Sequence, residues 1–317
     1  MERKIEIIGI PSSAGANTAG IEQAPAMLRE LGIADSLREA GLDVIDRNDD
    51  APVWQWRAGT GGVTASNTEA VIAYVEHARK RVTRAIGEGN LPLVLGGDCT
   101  IEIGTLAAHL DAEYRVGLVY FDGHADLNVP GSVPEGTGEF LESLDWMGVG
   151  HMLDLEGAVT ELAGIGSRRP LLAPSDVAVI GFVPEQASDF ERHQIDALGI
   201  RVIDWTTIAR DPEREMIELL GSWSDQFEHV LVHLDVDVLN FTETPIADTS
   251  ASRDVGLTLQ QATRALSILV GDPRFAGLTI AEINPVRGAE DDSSRRALQA
   301  FIKALATAFS SYTGERQ

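Results

Sequence analysis

Two short runs carry acids and an imidazole at alternate positions. Asp122-Gly123-His124-Ala125-Asp126 follows the apolar segment Val116–Phe121, and Asp235-Val236-Asp237 follows Val230–Leu234. In extended backbone, residues i, i+2 and i+4 share a side. Asp122, His124 and Asp126 can therefore converge on one point, and so can Asp235 and Asp237. Gathered without a cation, these five groups would hold about four negative charges in a low-dielectric crevice, where mutual repulsion is severe. Divalent metal removes that conflict. Many carboxylates with one imidazole suit a hard or borderline ion, and Mn²⁺ fits best. The donor number is high enough for two ions sharing bridging carboxylates, the arrangement that makes hydroxide from water at neutral pH. A lone DxD is a weak signal, because acids also cap helices and end strands. Both runs together, each at a strand end, point to metal.

Two more strand ends join them. Leu91–Leu95 runs into Gly96-Gly97-Asp98-Cys99-Thr100, and the segment Leu278–Ile283 carries Glu282, with Asn284 and Pro285 behind it. Asp98 beside two glycines reads as a residue that fixes the turn. The other histidines (His77, His109, His151, His193, His229 and His233) lack this context, and His229 and His233 flank a strand as structural residues.

These runs need elements to hold them. Strands are expected at Lys4–Ile10, Leu42–Ile45, Leu91–Leu95, Val116–Phe121, Val177–Gly181, Val230–Leu234 and Leu278–Ile283. A helical segment fills about Ile21–Ala40. Another opens at Ser66, with Glu69 as its capping-box partner and Val71, Tyr74, Val75, Ala78, Val82 and Ile86 on one face. Near-continuous apolar strands alternating with helices predict a parallel sheet covered on both faces. The carboxyl ends of such strands form the ligand crevice, so four segments deliver acids, a histidine and a thiol to one edge. Asp49–Thr64 and Val129–Glu139 read as long loops. No linker divides the chain, so residues 1–317 read as a single α/β domain.

The 317 residues include 49 acidic and 25 basic ones, a formal net charge of −24. That charge repels phosphate and excludes a nucleic-acid or anionic-membrane partner. It favours solubility and draws cations such as metals or guanidinium compounds; it also suits a solvated or salt-adapted surface. Apolar residues at 44% suffice for a large core. Cys99 is the one cysteine, so no intramolecular disulfide forms, which fits a reducing compartment. No apolar stretch reaches the ~18 residues needed to span a bilayer. The expected location is the cytoplasm.

The motifs resemble those of the arginase or ureohydrolase family over nearly the whole chain. Gly96–Thr100 resembles the family's GGDHS, residues 122–128 (DGHADLN) its DAHxDxN, Leu234–Asp237 its S-x-D-x-D, and Glu282–Pro285 its ExNP. Gly20, Ala24-Pro25 and Leu28-Arg29, followed by GLDVIDRND, look like the arginase branch more than the agmatinase or formimidoylglutamase branches. The resemblance implies a three-layer α/β/α sandwich with a mostly parallel central sheet, a binuclear Mn²⁺ centre and a homo-oligomer, trimer or hexamer. Carried over by position, Asp122 and Asp235 bridge both ions. Cys99, Asp126, Asp122 and Asp235 surround one ion, and His124 and Asp237 complete the other. Glu282 holds the guanidinium and Asn128 lines the pocket mouth. Hydroxide held between the ions attacks the guanidinium carbon, with Asp126 orienting it and passing its proton to the leaving amine. The implied reaction is hydrolysis of the guanidino C–N bond of arginine or an arginine derivative.

Two departures bear on this transfer. Cys99 stands where the family typically has a histidine ligand, as it does in the hydroxyarginine amidinohydrolase of the cycloserine pathway. It reads as a thiolate ligand, as a nearby thiol that leaves one metal weakly held, or as a nucleophile. A thiolate is softer than imidazole, so Zn²⁺ or Fe²⁺ could displace Mn²⁺ there. After Asn128, arginases carry Ser-x-Asn-x-His for the amino-acid end of the substrate; here Leu141, Ser143 and Asp145 align. Asp145 is thus the candidate for the substrate's tail, and the substrate could be arginine, N-hydroxyarginine, or modified or peptide-borne arginine. The alternatives are an agmatinase, guanidinobutyrase or formimidoylglutamase activity, or a non-catalytic protein that binds metal and a guanidino ligand.

Overall fold

The computed structural model describes residues 3–47, 49–57, 67–132, 143–248, 254–287 and 291–312. Among these, eight strands make one sheet: β1 (Ile5–Gly9), β2 (Val44–Asp46), β3 (Leu91–Leu95), β4 (Val116–Phe121), β5 (Val177–Phe182), β6 (Arg201–Asp204), β7 (His229–Asp235) and β8 (Phe275–Ala281). Their spatial order is β2-β1-β3-β8-β7-β4-β5-β6 and every neighbouring pair is parallel. The four strands that end in GGDCT, EINP, DVD and DGHAD are therefore the four central neighbours β3, β8, β7 and β4. The expected convergence at one sheet edge is what the topology delivers.

The apolar runs are buried on both sides because each side has its own core. Leu91, Leu93 and Leu95 of β3 and Val119 and Phe121 of β4 face one core, whereas Val94, Leu118 and Tyr120 face the other. Helices Thr68–Gly87 and Ile101–Asp111 cover the second face. Helices Ala24–Glu30, Ile33–Glu39, Pro212–Ser222, Leu259–Gly271 and Ser293–Phe309 cover the first. The result is the three-layer α/β/α sandwich expected from the sequence.

Several boundaries differ from the sequence reading. The single helix expected over Ile21–Ala40 is split, because Gly32 adopts φ 84°, a left-handed turn that ends one helix and starts the next. Asn67, not Ser66, precedes the helix at Thr68, and Ser66 lies outside the described residues. β6 was not anticipated: Arg201–Asp204 is a short edge strand with polar ends. β8 stops at Ala281 because Glu282 turns to φ 63°. Of the two long loops, residues 58–64 and 133–139 lie outside the described residues, and so does Leu141.

Candidate active site

The turn after β3 is held by close backbone packing. A Cβ on Gly97 would sit 1.7 Å from the Ser12 carbonyl oxygen, so only glycine fits. Asp98 then clamps the segment to its neighbour. Its carboxylate accepts from the Ser12 hydroxyl at 2.6 Å, from the Gly15 N–H at 3.1 Å and from the Thr100 N–H at 3.2 Å. Asp98 has the turn-fixing role its sequence context suggested. Cys99 follows, 1% exposed, with its N–H donating to Glu282 Oε1 at 3.1 Å and its thiol to Asp235 Oδ2 at 3.1 Å.

Asp122 terminates β4 and is fully buried. Its Oδ1 accepts from the His124 N–H at 2.6 Å, while its Oδ2 has no hydrogen-bond partner. His124 Nδ1 lies 2.9 Å from Asp237 Oδ2 and 3.5 Å from Asp122 Oδ1. The Asp237 N–H donates to Asp235 Oδ1 at 2.8 Å. Donor atoms of Asp122, His124 and Asp237 lie within 4.8 Å of one another, and so do those of Cys99, Asp122 and His233. Asp122 belongs to both groups. Ligand distances of about 2.0–2.3 Å let one ion span donors that close, so the side chains fit a binuclear centre with Asp122 shared between its halves. Asp126 holds a left-handed φ of 50° and accepts from the Tyr120 hydroxyl. Left-handed backbone is uncommon for residues other than glycine and clusters at functional sites; here it occurs at both Asp126 and Glu282.

The electrostatics are those of buried acids crowded together. Burial, then Asp237, pushes Asp122 up to about 6. Burial and neighbouring acids likewise hold Asp126, Asp235 and Glu282 well above the ordinary carboxylate range. Burial and Asp235 push the Cys99 thiol up as well. Burial alone would lower His124, but Asp237 and Asp122 outweigh it and hold the ring well above its usual value. Divalent charge reverses the carboxylate shifts.

Asp145 is half-buried, and burial with Asp98 and Asp248 raises it well above the usual range. Its charge in turn adds to burial in raising Glu282. Asn128 is fully buried. Its side-chain carbonyl accepts from Ser188 at 2.8 Å and Ser132 at 3.2 Å, and its amide nitrogen is unpartnered. His151, which aligns with no motif, is buried in the helix Gly148–Met152. Its Nδ1 lies 2.7 Å from the Met147 carbonyl and its Nε2 accepts from the Val159 N–H at 3.1 Å, so it serves the fold.

Three buried residues escaped the sequence reading. Asp248 accepts from Thr18 at 2.7 Å and donates its N–H to the Glu282 carbonyl at 2.8 Å, bracing the segment that carries Glu282. His233, set aside as structural, has Nε2 3.2 Å from Cys99 Sγ. Glu102 lies beyond it, with its Oε2 3.6 Å from His233 Nδ1. A signal for His233 was present: His233, Asp235 and Asp237 repeat the i, i+2, i+4 spacing of Asp122, His124 and Asp126.

The model of the Arginase family matches residues 3–307 of the chain. Arginase of Staphylococcus aureus (strain MRSA252) is 28% identical over 293 residues, covering 90% of this chain and 91% of that one. Human Arginase-1 is 26% identical over 97% of this chain and 93% of its own length. The structure of arginase from Bacillus caldovelox superposes with a TM-score of 0.82 at 25% identity, covering 98% of both chains. Members of this family use a binuclear metal centre, typically manganese, to act on guanidino substrates. The chain belongs to the arginase family and is a hydrolase of linear amidines.

Proposed function

We propose that the chain hydrolyses the guanidino C–N bond of arginine or an arginine derivative, N-hydroxyarginine and modified or peptide-borne arginine included. The products are urea or hydroxyurea and an ornithine-type amine. The observation that carries this reading is the pair of donor groups sharing Asp122, with the buried Glu282 carboxylate bonded to the neighbouring Cys99 N–H. Two divalent ions, manganese by the carboxylate-rich donor set, would supply the charge that offsets the acids and lowers the pKa of water. Asp122 and Asp235 would serve both ions, Cys99 and Asp126 the first, and His124 and Asp237 the second.

The remaining work falls to side chains. Glu282 accepts the planar guanidinium through charge-assisted hydrogen bonds. Asp126 orients the attacking water, takes its proton and hands it to the leaving amine. Asn128 offers its free amide N–H and Asp145 its carboxylate to the rest of the substrate. Because residues 141–145 lack Ser-x-Asn-x-His, the tail is read differently from that of free arginine in an ordinary arginase. The single buried cysteine agrees with a cytoplasmic protein. Among the described residues no helix is long and apolar enough to cross a membrane. The proposed assembly is a trimer or hexamer, to be read by sedimentation.

The test is direct. Mn²⁺-loaded protein is offered arginine, N-hydroxyarginine, agmatine and guanidinobutyrate, and urea and hydroxyurea are measured. Turnover of one of the first two is expected. Turnover confined to agmatine or guanidinobutyrate would move the chain to the other branches, and no product with any of them would leave binding without turnover, or a modified or peptide-borne arginine outside the set offered.

A further inference from the structure

His233 sits in a setting that the acid-and-imidazole rim does not explain. It lies on β7 two residues before Asp235, on the same side of the sheet, and it is fully buried. Its register partner on β4 is Tyr120, whose ring stacks on it at 4.3 Å with a 12° interplanar angle. One ring nitrogen, Nε2, is 3.2 Å from Cys99 Sγ. The other, Nδ1, has no hydrogen-bond partner, and neither has either oxygen of the fully buried Glu102, which faces it at 3.6 Å. A buried carboxylate with nothing to bind is costly. It is explained when the imidazole it faces is itself a ligand, because ligating histidines hand their second N–H to a carboxylate that fixes tautomer and ring angle.

We propose that His233 is a ligand of the first metal position, through Nε2 and alongside Cys99 and Asp122, and that Glu102 is the positioning residue behind its Nδ1. The donor atoms of Cys99, Asp122 and His233 lie within 4.8 Å of one another, and the Asp122 oxygen without a partner is available to the same point. The imidazole of this position thus comes from the sheet, not from the turn after β3. Its thiolate, imidazole and carboxylate donors are softer than the Asp122–His124–Asp237 group, so the two halves differ in the ion they hold best. The inference rests on the reading that the rim binds divalent ions, and the experiment separates the two.

Metal-free full-length chain is titrated with Co²⁺, and ions per chain are counted beside the thiolate-to-cobalt charge-transfer band and the visible d–d bands. Wild type is expected to take two ions, one with the thiolate band. His233→Asn should lose the first ion at concentrations that still fill the second. Glu102→Gln should weaken the first ion by about 10–100-fold and shift its d–d bands, with the second unmoved. Folding of the variants is checked by circular dichroism. Independently of any variant, ¹¹³Cd-loaded wild type labelled with ¹⁵N-histidine should show nitrogen coupling to the same cadmium whose shift reports the thiolate. A thiolate-bound cadmium without that coupling, or His233→Asn with two ions and an unchanged spectrum, would overturn the role of His233 and leave the binuclear reading intact. Wild type that takes no ion would overturn both.

Discussion

Tyr120 touches two neighbours of the metal rim at once. Its ring stacks on His233 and its hydroxyl donates to Asp126, so one side chain from the core of β4 holds both of them in place. Glu282 is fixed in another way, by a left-handed backbone braced at both of its peptide groups: its N–H donates to the Gly97 carbonyl at 2.9 Å and its carbonyl accepts from Asp248 at 2.8 Å. At this scale the expectation concerns charge. Glu282→Gln keeps the shape and removes the anion that would face a guanidinium. With hydrogen bonds to charged groups contributing about 1.5–3 kcal/mol each, kcat/KM should fall by roughly 100-fold or more, while metal per chain, measured by elemental analysis, stays at the wild-type value. A variant that keeps full activity would remove Glu282 from substrate binding.

At the scale of elements, the site is a property of strand ends and of the turns that leave them. Gly97 shows how little freedom those turns have. Gly97→Ala places a methyl group against the Ser12 carbonyl, and backbone shifts of that kind cost on the order of 3 kcal/mol. A denaturant midpoint lowered accordingly, with metal binding weakened in step because Cys99 is two residues away, is the expected result. The same scale explains what the residues revealed. β3 and β4 were read to the residue because continuous burial on both faces leaves an uninterrupted apolar run. β6 was not, because an edge strand of four residues with Arg201 and Asp204 at its ends has no such run. Asp122, His124, Asp235 and Asp237 were legible from their spacing at strand ends, but the backbone that gathers them is a bend after β4 and a 3-10 turn at Val236–Val238 after β7, not the extended chain expected. His233 obeys the same spacing, but it lies within an apolar strand and was read as part of it. Glu102 could not be read at all, since it meets His233 only through the docking of helix Ile101–Asp111 on the sheet.

For the whole molecule, acidity and burial act on different titrations. The charge of −24 is spread over the chain, whereas a neutral histidine pair lies at the opposite end of the sheet from the metal rim. His109 Nδ1 and His229 Nδ1 are 2.9 Å apart, and His229 stacks on Tyr114 at 3.7 Å. Burial and His229 hold His109 well below its usual value, and burial and Arg3 lower His229 to about 4. The unfolded chain titrates these rings near ~6.5, so below that pH it binds more protons than the folded chain does. Their contribution to stability is complete above about 6.5 and is lost as pH falls toward 4. Denaturant midpoints followed from pH 7 to pH 4.5 should fall for the wild type and fall less for His109→Gln/His229→Gln; parallel curves would exclude the pair as a source of acid lability.

Cys99 also bears on how the molecule moves. It is the single thiol in the chain and 1% exposed, so a reagent such as iodoacetamide cannot meet it while β3, β7 and β8 stay docked. Alkylation must wait for the rim to open, which makes the labelling rate a clock for that opening, free of signal from any other sulfhydryl. Saturating divalent metal should slow the clock in proportion to how tightly it ties the three strand ends together. Labelling as fast as that of a free thiol would mean that the rim breathes on the reagent's own timescale.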